Sequence, residues 1–191
     1  NRMLTFLVVL TAAAAVIAVT RARRRREVLG YAWLMPASTV AQAVIGGITV
    51  LTGLLWWTVA IHLLVSMAMV WLAVLLYVKI GEPDDGVPTP VVRQLTILSG
   101  VALSAVLVTG TMVTGAGPHA GDKSLDRPVP RLEVEITTLV HMHSSLLIGY
   151  LSLLVALGFA LLAVAAPRPV MTRLGVLVVL LTINPKLALI T

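Results

Sequence analysis

Residues 109–150 read TGTMVTGAGPHAGDKSLDRPVPRLEVEITTLVHMHSSLLIGY. An apolar run closes in a glycine-rich turn that holds His119. A polar loop follows, and a second apolar run opens with His141 and His143. Three of the four histidines of the chain fall in this stretch, and the fourth, His62, lies near the corresponding end of another apolar run. Two long apolar runs joined by a polar loop predict a pair of membrane-crossing helices. The rest of the chain repeats the pattern.

Composition agrees. Of 191 residues, 59% are hydrophobic and 12% charged, and the mean hydropathy is +1.01. A water-exposed surface cannot be built from so few charges, so the class is an all-α, polytopic membrane protein whose partner is the lipid bilayer. The net charge of +6 does not point to nucleic acid, because its largest block is Arg21 and Arg23 to Arg26, between two apolar runs. Such a block fixes orientation by the positive-inside rule. With no cysteine, disulfides, thiolate metal sites and iron–sulfur clusters are excluded within these residues. Nothing resembles a phosphate-cradling loop, a serine nucleophile elbow or a basic–aromatic array for nucleic acid. The chain starts at Asn1 without a signal-peptide layout, so the expectation is that it begins inside a longer protein.

In chain order, spans are expected at 3–20, 29–54, 57–78, 94–114 and 137–165, with a sixth starting near Val170. The sixth carries Asn184, Pro185 and Lys186, where a proline and a lysine interrupt the apolar pattern. The Pro- and Asp-rich segment 79–93 divides the chain into 1–78 and 94–191. Nine basic residues (Arg21, Arg23 to Arg26, Lys79, Arg93, Arg168 and Arg173) fall on one side. Lys123, Arg127 and Arg131 fall on the other. The Arg21–Arg26 loop is therefore expected in the cytoplasm and the loop 115–136 outside it, in a multi-pass protein of the cell membrane. Trp56 and Trp57 mark the outer interface.

An ionisable side chain within a span is a candidate functional group. Histidine suits a metal or haem iron because a neutral ring nitrogen donates a lone pair. His62 lies about five residues past Trp57, roughly 8 Å deep at 1.5 Å per residue, and His143 lies at a similar depth. His141 and His143 are separated by about 200° around a helix, so they face different surroundings. Leu139, Val140, Leu146, Leu147 and Tyr150 share the His143 face, an apolar wall suited to a porphyrin. Thr138, Ser144, Ser145 and Ser152 share the His141 face, a polar seam. Each histidine also admits a plainer reading. His62 and His141 can hydrogen-bond a neighbouring helix, and His119, set in GPHAG, can simply shape its loop. Gly46, Gly47 and Gly53 allow close approach of a second helix or of a flat ligand.

Three stretches together resemble the haem A synthase family. They are QAVIGGITVLTGLLWWTVAIHLL (42–64), VTGTMVTGAGPHAGD (108–122) and RLEVEITTLVHMHSSLL (131–147). The resemblance runs to about residue 180. It implies an eight-helix fold of two similar four-helix bundles, of which this chain supplies helices two to seven. Residues 1–78 would belong to the amino-terminal bundle, 79–93 to a cytoplasmic linker, and 94–191 to the carboxy-terminal bundle.

The resemblance also implies an activity: oxidation of the C8 methyl of haem O to the formyl group of haem A, by successive hydroxylations and loss of water. In its terms His62 and His143 are axial ligands of haem iron, His143 for a haem b cofactor and His62 for the haem O substrate. Gly46 and Gly47 would lie near a macrocycle, with His141 and His119 as further candidates. The family's essential glutamate falls outside this sequence, as does its loop cysteine pair. Asn1 stands where many relatives have histidine. Implied partners are a haem O synthase delivering substrate, an electron donor of unknown identity and a second copy of the chain. Two other classes stay open. One is a b-type cytochrome that only transfers electrons, and the other is a non-catalytic assembly factor for cytochrome oxidase.

Overall fold

The computed structural model describes residues 2–81, 88–118, 120–123, 126 and 128–183, with side chains described except at 2, 4 and 177–183. The described chain is all-helical. In order, the helices are α1 (Arg2–Arg21), α2 (Arg26–Leu51), α3 (Trp56–Gly81), α4 (Pro90–Ala116), α5 (Ile136–Ala163) and α6 (Arg168–Ile183). Each matches an expected span to within a few residues. Helices α2 to α5, at 26 to 28 residues, are long and apolar enough to cross a membrane. The interruption expected at Asn184–Lys186, Asn1 and His119 all lie outside the described residues.

The helix ends have local causes. Thr89 caps α4, its hydroxyl accepting from the Val92 N–H, with Pro90 at the first helical position where no N–H is needed. Pro36 lies inside α2, ten residues from its start and deeper than the first turn. At the far end of α2, Gly53 and Leu54 both take positive φ, 69° and 57°, which turns the chain into α3 within four residues. Leu54 adopts this left-handed conformation without a glycine's freedom. Its N–H bonds the Thr49 carbonyl at 2.9 Å, which helps hold it there.

Each helix packs on its neighbours in sequence, α1 on α2 through to α5 on α6; among the described residues no other helix pair is in contact. The pairs are antiparallel, as cross-helix contacts show: Gln42 meets Ser66 and Thr49 meets Thr58 between α2 and α3, and Trp56 at the start of α3 meets Gly115 at the end of α4. One end of the assembly thus gathers the arginine loop, and the other gathers the α2–α3 turn and the α4–α5 loop. An ion pair between Glu27 and Lys79, 3.1 Å apart, ties α2 to α3 at the arginine end.

The apolar core is small and divided. Val19, Val28, Ala32 and Leu76 form one cluster among α1, α2 and α3, and Val106, Tyr150 and Leu154 form another between α4 and α5. Large apolar side chains point outward instead, among them Phe6, Trp33, Trp71 and Phe159, each more than half exposed. Such a surface is unsuited to water and suited to hydrocarbon.

Candidate functional site

His62 and His143 sit near the loop end, each seated against its preceding helix. His62 is six residues into α3 and His143 seven into α5. At 1.5 Å per residue these are depths of roughly 9 and 10 Å. Both are half-buried, and their surroundings differ.

His143 faces α4. Its Nδ1 lies 3.1 Å from the Val106 carbonyl oxygen and 3.1 Å from Thr109 Oγ1. A carbonyl can only accept, so Nδ1 carries the proton and donates. The Thr109 hydroxyl spends its own proton on the Ala105 carbonyl at 2.8 Å or the Val106 carbonyl at 3.1 Å. Its lone pair is then free to accept from Nδ1–H. In the neutral ring, Nε2 is left with its lone pair. Metal-bound histidines carry this outer hydrogen bond, which fixes both tautomer and ring direction. The expected apolar wall around His143 is used otherwise. Tyr150 is buried with Val106 and Leu154 in one apolar cluster, Leu146 and Leu147 pack against that cluster, and Leu139 is buried.

His62 faces α2, where Gly46 makes room for it. A Cβ built on Gly46 would lie 3.2 Å from His62 Cε1, so the ring rests directly on the glycine backbone. Gly47, the next residue, is exposed and meets nothing within 4 Å. One turn along α2, Gln42 Nε2 donates to Ser66 Oγ at 2.8 Å and to the His62 carbonyl at 3.3 Å, while Ser66 Oγ donates to that carbonyl at 2.8 Å. The amide thus clamps the turn of α3 that carries His62. The imidazole itself is not held in the same way: His62 Nδ1 is buried without a hydrogen-bond partner, as is Gln42 Oε1. A buried nitrogen without a partner is costly.

His141 points the other way and is exposed. The polar seam expected on its face does not bridge helices through Thr138 or Ser152. The Thr138 hydroxyl donates to Glu135 at 2.9 Å and the Ser152 hydroxyl to the Ile148 carbonyl at 2.9 Å, both within the local chain. The Thr137 hydroxyl also donates to Glu135. These bonds, Thr137 first, hold the Glu135 carboxyl below its ordinary range, with a small contribution from the nearby His141.

The glycine-rich loop makes a different structure from the histidines. Trp56 packs directly on Gly115, where an added Cβ would lie 3.1 Å from the tryptophan Cβ and Cε3. The Asp122 N–H donates to the Gly53 carbonyl at 2.8 Å and the Leu132 N–H to the Gly115 carbonyl at 3.0 Å. Gly121, at φ 81°, packs so tightly on Val129 that a Cβ there would approach the Val129 Cβ to 2.7 Å. A cavity of about 430 Å³ opens between α3, α4 and the loop that joins α4 to α5, lined by Leu54, Trp56, Val59, Val113, Pro118 and Ile136 among others.

Sequence reasoning did not find Thr109, the Val106 carbonyl, or the Gln42–Ser66 clamp. Thr109 and His143 are 34 residues apart, and no local pattern links them. Among the described residues no three histidine, aspartate or glutamate side chains cluster as a metal site. A haem iron does not need such a cluster, since one or two axial histidines hold it. Comparison with protein-family models, with curated proteins and with solved structures gave no match.

Proposed function

We propose that this chain is the haem-binding portion of a membrane oxidoreductase of the haem A synthase type. It would oxidise the C8 methyl of haem O to a formyl group, with haem b as resident cofactor. The observation that carries the reading is the seat of His143, whose Nδ1–H is engaged by Val106 and Thr109 and whose Nε2 is thereby presented as a ligand. The second support is His62 at a matching distance along its helix, its ring accommodated by Gly46. The sequence resemblance supplies the substrate.

In this reading His143 holds haem b and His62 holds the iron of haem O. Bound haem b supplies one-electron transfer. The chain's own residues orient the ligands: Val106 and Thr109 direct the His143 ring, and Gln42 with Ser66 fixes the backbone turn under His62. Gly47, open and free of a side chain, leaves room for a flat ligand to approach α2. The arginine loop faces the cytoplasm and the histidine end faces outward. The two-bundle, eight-helix architecture belongs to the same proposal.

A b-type electron carrier is the second reading, and one observation favours it: only His143 has its imidazole anchored. Product chemistry separates the two. Membranes carrying the full-length protein are supplied with haem O and a reductant under air, and extracted pigments are identified by mass. Haem A supports the synthase. Unchanged haem O beside bound haem b supports the carrier.

A further inference from the structure

His143 is held by two acceptors that are not equivalent. The Val106 carbonyl belongs to the backbone of α4 and is also within reach of the Thr109 hydroxyl, 3.1 Å away. Thr109 is a buried side chain, 6% exposed, and its hydroxyl lies 2.8 Å from the Ala105 carbonyl. With its proton directed there, its oxygen is left as an acceptor 3.1 Å from Nδ1. A chain therefore runs from His143 Nδ1–H to the Thr109 hydroxyl to the Ala105 carbonyl, and consecutive hydrogen bonds of this kind polarise one another. The Val106 carbonyl decides the direction. If Nδ1 were unprotonated, two lone pairs would face each other across 3.1 Å.

We propose that Thr109 is the positioning residue of His143. The Val106 carbonyl fixes the Nδ1–H tautomer; Thr109 accepts a share of that proton, holds the ring in place, and makes Nε2 a stronger electron donor. This would set His143 apart from His62, whose Nδ1 has no such partner. Only the effect on bound iron rests on the haem reading; the tautomer does not. For a bound haem, drawing on the Nδ1 proton gives the imidazole partial anionic character. That stabilises the oxidised iron and lowers its potential.

The test uses the full-length protein in nanodiscs with Thr109→Val, nearly the same shape without the hydroxyl, and Thr109→Ser, which restores it. In protein produced without a haem supply, two-bond ¹H–¹⁵N spectra of labelled histidine report the His143 tautomer and the solvent exchange of its ring proton. The wild type is expected to show Nδ1–H. Thr109→Val should speed its exchange about tenfold, the scale of losing one neutral hydrogen bond, and Thr109→Ser should restore it. In haem-loaded protein, the midpoint potential of the His143-dependent haem should rise in Thr109→Val and return in Thr109→Ser. Nε2–H in the wild type overturns the proposal. So does a Thr109→Val protein with unchanged exchange and potential, even if its stability falls. An Nδ1–H tautomer in a protein that binds no haem through His143 supports the positioning role and removes the haem reading instead.

Discussion

Adjacent glycines on α2 offer a controlled test of how His62 is seated. An alanine at Gly46 would place its Cβ 3.2 Å from His62 Cε1, close enough that the ring must yield by a few tenths of an ångström. An alanine at Gly47 would meet nothing within 4 Å. Both substitutions gain about 1 kcal/mol of helix propensity, so that contribution cancels between them. What remains is overpacking at position 46, typically about 1–3 kcal/mol, with the lower figure applying if the imidazole shifts freely. Gly47→Ala should therefore be neutral or stabilised by up to about 1 kcal/mol. Gly46→Ala should lie about 1–3 kcal/mol below it, a factor of roughly 5–150 in the unfolding equilibrium. Reversible unfolding of the ligand-free protein in mixed micelles measures the difference. If the two variants unfold alike, His62 does not rest on Gly46 as described.

Three further outcomes follow from the loop end. Gly115→Ala drives a Cβ into Trp56 at 3.1 Å and should cost about 1–3 kcal/mol, read together with a shift in tryptophan emission as the α3–α4 contact loosens. Gly121→Ala combines a positive φ of 81° with a 2.7 Å approach to Val129; strain of about 1–2 kcal/mol plus the clash should make the α4–α5 loop more readily cleaved by protease. The Glu135 carboxyl, held low by Thr137 and Thr138, contributes stability that is present above its unfolded value and lost as pH falls through its lowered folded value. Thr138→Val should raise that titration toward the ordinary glutamate range in a ¹³C-detected NMR titration, and an unmoved midpoint would refute the assignment of cause.

The helices were legible in the sequence because hydropathy over about twenty residues is a local property, and both Trp56 and the arginine block mark where spans end. The opposition of His141 and His143 was also legible, because helical geometry puts residues two apart on different faces. The partners of the histidines were not. Thr109 reads as one of many span threonines until α4 and α5 pack antiparallel and bring it to Nδ1 of His143. Gly46 and Gly47 look interchangeable in sequence, yet only Gly46 lies beneath an imidazole. The GAGPHAGD loop invited a chemical reading, and its glycines have structural duties: Gly115 under Trp56, Gly121 against Val129. Of the apolar face expected beside His143, Leu146, Leu147 and Tyr150 join the cluster that includes Val106 of α4. A face's character can be read from the sequence, whereas its occupant depends on tertiary packing.

The central claim is that His143 and His62 each hold a haem iron, on different sites. The most direct measurement is the haem content of the full-length protein purified from membranes, with pigments identified by mass, for the wild type, His143→Ala and His62→Ala. The account predicts haem b together with haem O or haem A in the wild type, loss of haem b alone in His143→Ala, and loss of haem O or A alone in His62→Ala. Wild-type protein free of haem, or one pigment lost equally in both variants, would contradict it.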